Sequence, residues 1–217
     1  MAANMKPVLY SYFRSTCSWR VRIALALKGI EYEYRAVHLL KDGGEQLADS
    51  YKAINPQCEV PTLLIDGHTL TQSMAIVEYL DETQGPPYLL PRDDPHRRQQ
   101  VRAVSQCVAC GIQPIQNLRV LKFVGDEKKA EWGKHWIELG FNSLEKLLET
   151  TAGKYSVGDE VTMADLMVLP QVYNANRFKV DMSAYPTITR IEAALSELEA
   201  FKKAHPTQQP DCPPELK

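Results

Sequence analysis

The sequence has little of what several specialised protein classes require. Its 217 residues include five cysteines and 11 glycines, and the formal net charge at pH 7 is −2. So sparse and odd a set of cysteines excludes a disulfide scaffold and indicates a reducing compartment. Because positive charge is not in excess, the chain lacks the overall field that would hold nucleic acid phosphates. Nucleic acid is therefore excluded as the main partner.

Long hydrophobic runs are missing as well. The longest apolar stretches, such as residues 63–65, fall far short of the roughly 20 residues that span a bilayer. No cationic segment followed by an apolar run opens the chain. Hydrophobic residues make up 44% of the sequence and charged residues 24%, which is typical of a globular chain with a packed core. We expect a cytoplasmic protein that makes no contact with membranes.

The sequence contains no convincing metal site. Cys107 and Cys110 have the spacing of zinc ligands, but no second ligand pair follows them. The five histidines are scattered without a paired spacing. We interpret the two cysteines as small apolar residues on one helix face, and we predict no metal.

The N-terminal part has the pattern of an α/β domain in the order βαβαββα. The dipeptide Asp66-Gly67 between apolar runs is a strong hairpin signal, so the third and fourth strands should pair antiparallel. We expect Gly29 to form a left-handed cap at the end of the first helix. We predict a mixed four-stranded sheet with helices on its faces. The predicted strands are 8–12, 30–36, 60–65 and 68–70, and the predicted helices are 15–28, 45–53 and one beginning at Ser73.

A proline-dense segment at residues 81–98 predicts a domain boundary. We therefore divide the chain into domains at 1–87 and 88–217, the second of them an all-helical bundle. Pro114 and Pro170 should kink two of its helices, and Thr162 with Asp165 forms a capping box. We expect the tail beyond His205 to be irregular and on the surface. The predicted helices are 101–123, 127–150, 163–178 and 188–204.

Candidate chemistry begins where the first strand meets the first helix. Ser15, Thr16 and Cys17 cluster at this helix N-terminus, where free backbone N–H groups and a partial positive charge stabilise an anion. The anion is either the Cys17 thiolate or the sulfur of a small thiol held by the Ser15 or Thr16 hydroxyl. Arg20 stands where a dithiol motif would have its second cysteine, so no disulfide forms there. The alternative is an ordinary helix cap beside a buried cysteine.

Two further signals indicate a peptide ligand. Pro61 opens an inner strand, and a cis bond after Val60 would turn the Val60 backbone toward solvent, where it could pair with a bound peptide. Gln72 and Ser73 begin the next helix, whose N-terminus suits a carboxylate. Together with the first helix, these points suit a short, anionic peptide that carries a thiol.

The same residues resemble a known family. The run at 9–22, together with Val60-Pro61-Thr62-Leu63, Gln72-Ser73 and residues 161–165, is similar to the zeta-class glutathione transferases. The similarity extends along the chain and includes residues 111–114 and 174–178. The first run is the specific part, since most other glutathione transferases use a tyrosine or a differently framed serine. This chain has Ser-Thr-Cys where the class usually has Ser-Ser-Cys, which implies altered packing at Thr16 with activity retained.

The resemblance implies a glutathione transferase fold. Residues 1–87 would be a thioredoxin-like domain that binds glutathione, and residues 88–217 an all-helical domain that binds substrate. The class forms homodimers. It places Ser15, Thr16 and Cys17 nearest the glutathione sulfur, as the catalytic candidates. The implied glutathione contacts are Ser15, Thr16, Cys17, Ser18, Trp19, Arg20, Gln46, Val60, Gln72, Ser73, Gln113, Asn117, Leu118 and Arg119.

The resemblance also implies an activity. This is the cis-to-trans isomerisation of 4-maleylacetoacetate to 4-fumarylacetoacetate in phenylalanine and tyrosine catabolism, with glutathione as a nucleophile that is not consumed. Transfer of glutathione to small α-haloacids is an implied side activity. Arg14 and Arg177, with Gln113, are candidates for binding the substrate carboxylates. Two other functions stay open, namely a thiol oxidoreductase that uses Cys17 and a non-catalytic interaction module.

Overall fold

The computed structural model describes residues 6–217, which form two compact units. One unit comprises residues 6–87 together with Glu199–Lys217, and the other is Tyr88–Leu198. The change from one unit to the other after Pro87 lies inside the predicted proline-dense boundary. Residues 199–217, which the sequence assigned to the helical domain, instead belong to the unit that contains the sheet.

The first unit contains a mixed four-stranded sheet, as predicted. Its strands are β1 (Val8–Ser11), β2 (Glu33–Ala36), β3 (Thr62–Ile65) and β4 (His68–Thr71), in the order β2-β1-β3-β4. Strand β1 pairs parallel with β2 and antiparallel with β3, which pairs antiparallel with β4. The hairpin signal is confirmed, because Asp66 and Gly67 join β3 to β4 with φ angles of 54° and 80°.

Three helices of this unit alternate with the strands along the chain. They are α1 (Thr16–Leu27), α2 (Asp49–Lys52) and α3 (Ser73–Thr83). The prediction of one helix over 45–53 is wrong. A 3-10 turn at Glu45–Leu47 is separated from α2 by the extended Ala48 (ψ 144°), which interrupts the helical hydrogen bonds. Strand β2 also begins later than predicted, at Glu33.

The long elements of the second unit are helices. Its α-helices are α4 (Pro95–Gln106), α5 (Leu118–Val124), α6 (Lys129–Thr151), α7 (Met163–Arg177) and α8 (Pro186–Ser196). The capping box that precedes α7 is confirmed, since the Thr162 N–H donates to Oδ2 of Asp165 over 2.7 Å. Pro170 lies inside α7.

The helix predicted over 101–123 is interrupted. After α4 the chain forms a π-helix at Cys107–Ile112 and a 3-10 turn at Gln113–Gln116, and only then begins α5. Two local causes act here. Pro114 has no N–H to donate to a preceding turn, and the extended Asn117 (ψ 149°) starts a new helix.

The C-terminal segment packs onto the sheet unit. The helix predicted over 188–204 is two helices, because α8 ends at Ser196 and a short α9 (Glu199–Ala204) follows and contacts α1. Beyond it lie 3-10 turns at Pro206–Gln208 and Pro214–Leu216. The tail is therefore not simply a surface segment, since Cys212 within it is 4% exposed. In residues 6–217, no helix is long and apolar enough to cross a membrane.

Candidate active site

The loop between β1 and α1 ends in a serine cap. The Ser15 Oγ accepts the N–H of Ser18 over 3.2 Å, and the Ser15 N–H donates to the Tyr12 carbonyl over 2.9 Å. Ser15 takes this role because its backbone is extended (ψ 115°) just before the helix. A hydroxyl that accepts one hydrogen bond still has its own proton to donate. Ser15 therefore caps the helix and presents an O–H donor where the helix dipole is positive.

The residues that follow Ser15 differ in accessibility. Ser15 and Cys17 are half-buried, whereas Thr16, Ser18, Trp19 and Arg20 are buried. Within the run 15–20, Ser15 and Cys17 are the two residues that are not buried. The buried Thr16 is 5% exposed, so its additional methyl group lies in a packed environment.

Arg20 joins α1 to the start of α3. Its Nη1 donates to the Oγ of Ser73 over 3.1 Å, and both side chains are buried. Its Nε and Nη2 atoms have no hydrogen-bond partner among the described residues. A positive charge thus lies behind the N-terminus of α3, where it adds to the helix dipole in favouring an anion. Gln72, just before α3, has a φ of 66°, and its side chain donates to Gln57 over 2.8 Å.

The bond between Val60 and Pro61 is cis, as predicted. The loop that leads to it is held by two buried side chains. Asn55 donates to the Glu59 carbonyl over 2.8 Å and to Thr62 over 3.1 Å, and the Tyr51 hydroxyl donates to the same carbonyl over 2.7 Å. The exposure of the Val60 backbone groups to a peptide stays a prediction.

Gln46 lies in the 3-10 turn that precedes α2. It is 8% exposed, and its buried Oε1 has no hydrogen-bond partner among residues 6–217. Gly44 passes directly beneath it, because a Cβ at Gly44 would lie 2.6 Å from Nε2 of Gln46. An orphaned buried acceptor beside a glycine fits the N–H of a bound peptide. These residues are therefore compatible with glutathione.

The other predicted residues lie in the second unit. Gln113 begins the 3-10 turn, and Asn117 caps α5 by accepting the Arg119 N–H over 3.2 Å. Leu118 is the first residue of α5. Arg177 ends α7, where its Nη1 donates to Asn174 over 3.0 Å.

The sheet unit contains the other site residues that the sequence predicted. Arg14 is one of them, and its guanidinium lies over the Phe13 ring at 5.9 Å. The others discussed above are Ser15, Thr16, Cys17, Gln46, Val60, Gln72 and Ser73.

The cysteine pair of the second unit forms no metal site with the described residues. Cys107 and Cys110 lie on the π-helix as free thiols, and burial raises the pKa of Cys107. In the part of the chain that the structure describes, no three His, Cys, Asp or Glu side chains gather in a way that would hold a metal ion.

Sequence reasoning did not single out three polar residues, of which Gln116 lies in the helical unit and Arg22 and Asp211 lie in the sheet unit. Gln116 is 5% exposed, and neither its Oε1 nor its Nε2 has a partner among the described residues. Arg22 and Asp211 hold the loop before Ser15 through hydrogen bonds to the backbone of Phe13. Arg22 belongs to the run at 9–22, but its role comes from contacts that only the folded chain makes. No local motif marks Gln116 or Asp211, because burial and long-range partners give them their roles.

Family models match both parts of the chain. The N-terminal domain model of glutathione S-transferase matches residues 14–83, and the C-terminal domain model matches residues 116–204. The chain belongs to the glutathione S-transferase family. This glutathione S-transferase is 59% identical to maleylacetoacetate isomerase of Rattus norvegicus over 212 residues, which cover 98% of each chain. The resemblance to the zeta class is thereby confirmed.

Solved structures agree with this assignment. A bacterial maleylpyruvate isomerase of the zeta class superposes on this glutathione S-transferase with a TM-score of 0.90 at 46% identity, covering 95% of this chain and 100% of that one. The maleylacetoacetate isomerase of Anaeromyxobacter dehalogenans, solved with dicarboxyethyl glutathione and citrate in its active site, gives a TM-score of 0.86 at 43% identity, covering 96% and 98%.

Proposed function

We propose that this glutathione S-transferase catalyses the glutathione-dependent isomerisation of 4-maleylacetoacetate to 4-fumarylacetoacetate. The Ser15 hydroxyl at the N-terminus of α1 is the observation that carries the proposal, because it is a half-buried donor at the positive end of a helix. The 59% identity to a maleylacetoacetate isomerase supports the choice of substrate. The pathway is phenylalanine and tyrosine catabolism.

The site residues of the sheet unit have different roles in the proposed reaction. When bound, glutathione would supply a nucleophilic thiolate that adds reversibly to the conjugated cis double bond, so that rotation takes place about a single bond before the thiolate leaves again. Ser15 donates its O–H to the sulfur, and the N-terminus of α1 lowers the free energy of the negative charge there. Gln46 and Val60 hold the peptide, and Gln72 and Ser73 hold its γ-glutamyl carboxylate.

The substrate carries two carboxylates that must be oriented. We assign this role to Arg14 and Arg177, because a guanidinium binds a carboxylate through two parallel hydrogen bonds. Gln113, Asn117, Leu118 and Arg119 stay proposed contacts of glutathione or substrate from the helical unit. Small α-haloacids are proposed as further substrates, with halide release as the measurement.

A spectroscopic isomerase assay with and without glutathione tests the function. We expect turnover when glutathione is present and none when it is left out. Equal turnover in both conditions would refute the proposed chemistry. A non-catalytic interaction module would show no turnover in either.

The second candidate is a thiol oxidoreductase that uses Cys17. One observation favours it, namely the half-buried thiol in the first turn of α1. The two functions separate by mutation, since reduction of a glutathione mixed disulfide would require Cys17 and isomerisation would not.

We expect a cytoplasmic homodimer, as for the class that the sequence resembles. Sedimentation equilibrium would give twice the 24.5 kDa mass of one chain for a dimer. A single-chain mass at micromolar concentration would contradict it.

A further inference from the structure

The C-terminal segment holds the loop that carries Ser15. Asp211 lies 198 residues from Phe13, yet its Oδ2 accepts the Phe13 N–H over 2.9 Å. Its Oδ1 accepts the Tyr34 hydroxyl over 2.6 Å. Burial and this hydrogen bond raise the pKa of Tyr34 far above its ordinary value, so the phenol stays a donor. One carboxylate therefore ties the tail both to strand β2 and to the loop after β1.

The neighbouring Cys212 makes the same connection through apolar contact. It is 4% exposed and belongs to a buried cluster with Tyr12, Phe13, Val37, Tyr51 and Val60. The tail thus packs against residues of the β1–α1 loop and against the residue before the cis proline. Its attachment involves hydrophobic burial as well as two hydrogen bonds.

Arg22 holds the same loop from α1. Its Nη2 donates to the Phe13 carbonyl over 2.9 Å, and its Nη1 donates to the Tyr12 carbonyl over 3.3 Å. Its Nε donates to the carbonyl of Ala204, the last residue of α9, over 3.0 Å. Burial lowers the pKa of this guanidinium to about 10, which leaves it charged at neutral pH.

These contacts converge on the position of Ser15. Phe13 is bound at its N–H by Asp211 and at its carbonyl by Arg22, so hydrogen bonds hold the residue on both sides. The adjacent Tyr12 carbonyl accepts both Arg22 and the Ser15 N–H. A shift of the loop would therefore move the Ser15 hydroxyl relative to the helix end that it caps.

We propose that Asp211 is a positioning residue of the glutathione site, acting through Phe13 on the placement of the Ser15 hydroxyl. The inference rests on the proposed use of glutathione. It adds that the tail beyond α9 supports the site, with Asp211 acting through its hydrogen bond to Phe13. The placement of the Ser15 hydroxyl matters because the distance and angle of a hydrogen-bond donor control how strongly it stabilises a thiolate.

The test compares Asp211→Asn with Glu215→Gln in the full chain. Both variants remove one negative charge from the same tail, and Glu215 is exposed. Three quantities are measured, namely the alkylation rate of Cys212, the Kd for glutathione by calorimetry, and the pH at which bound glutathione ionises, followed by thiolate absorbance. The Cys212 rate is read by mass spectrometry of the labelled peptide, so the other four cysteines do not interfere.

For Asp211→Asn we expect faster alkylation of Cys212, a Kd about tenfold higher, as for the loss of a charge-assisted hydrogen bond, and a higher ionisation pH. Glu215→Gln should match the wild type in all three. Tyr34→Phe keeps the Phe13 contact and should give smaller changes in the same directions. This variant also keeps the test decisive if Asp211→Asn fails to fold.

Two outcomes would overturn the inference. In one, Asp211→Asn exposes Cys212 while the Kd and the ionisation pH keep their wild-type values, which would make the tail merely structural. In the other, Cys212 stays protected and the Kd is unchanged. A wild type that binds glutathione but fails the isomerase assay would refute the proposed function and leave the role of Asp211 standing.

Discussion

Arg20 and Ser73 are joined by a buried hydrogen bond of 3.1 Å, although 53 residues separate them in the chain. The bond connects the second turn of α1 to the first residue of α3. It therefore links the two helices whose N-termini are proposed to bind the anionic groups of glutathione. The remaining guanidinium nitrogens, Nε and Nη2, lack partners among the described residues. A buried charge with incomplete partners reduces folding stability and favours an anionic ligand.

Replacing Arg20 with Met should therefore weaken glutathione binding without lowering stability. We expect the Kd to rise about tenfold, because the positive charge behind α3 is lost. We expect the free energy of unfolding to stay equal or rise, since apolar substitutes for incompletely paired buried charges are often neutral or stabilising. Calorimetry and urea denaturation measure the two quantities. Arg35→Gln, at an exposed arginine paired with Glu33, is the control, and a loss of stability with unchanged affinity would contradict the assignment.

Ser15→Ala should reduce isomerisation far more than Cys17→Ala. We expect kcat/KM to fall about a hundredfold when the donor to the sulfur is removed, and to change only a few-fold in Cys17→Ala. Ser15→Ala also removes a helix cap, which costs about 1 kcal/mol. Asp94→Ala is the matched control, because Asp94 caps α4 by accepting the Arg97 N–H over 2.8 Å. An isomerase indifferent to Ser15 would refute the assignment of the donor.

Gly44→Ala should disturb the glutathione site through Gln46. The new Cβ would lie 2.6 Å from Nε2 of Gln46 and displace the side chain. Gly43→Ala is a close control, because Gly43 also has a positive φ (83°) but a Cβ there would meet no atom within 4 Å. Each change should lower stability by about 1 kcal/mol through backbone strain. Only Gly44→Ala should raise the Kd for glutathione, and equal Kd values for the two variants would exclude the contact with Gln46.

The attachment of the tail should weaken at acid pH. Burial, with a smaller effect of the Arg22 charge, lowers the pKa of His205 below its ordinary value. Below about pH 6.5 the unfolded chain therefore binds a proton that the folded chain does not, and the free energy of unfolding falls as pH falls. The His205 ring also packs edge-on against Trp19 with centroids 5.1 Å apart.

Thermal melts from about pH 7.5 to about pH 5.5 measure this effect. The wild type should lose more stability across that range than His205→Asn, which keeps an acceptor for the Thr207 N–H but cannot titrate. Parallel pH dependences for the two proteins would show that His205 does not contribute.

The features that sequence reasoning predicted correctly have local causes. The Asp66-Gly67 hairpin, the Thr162–Asp165 capping box and the α1 start after Ser15 each depend on residues within a few positions of one another. The mixed sheet followed from the order of strands and helices, and the zeta-class resemblance followed from one contiguous run. Where local signals were weaker, as over 101–123 and 188–204, each predicted single helix is broken in the structure into separate elements.

The sequence by itself therefore determined the starts of α1 and α7, the turn between β3 and β4, the sheet pattern and the family of this protein, because these depend on backbone preferences and short motifs. Only the tertiary structure decided that Arg20 braces Ser73, that Gln46 is buried above Gly44, and that Asp211 reaches Phe13 across 198 residues. The reason is physical. Such contacts exist only once distant segments are packed together, so no pattern within any one segment encodes them.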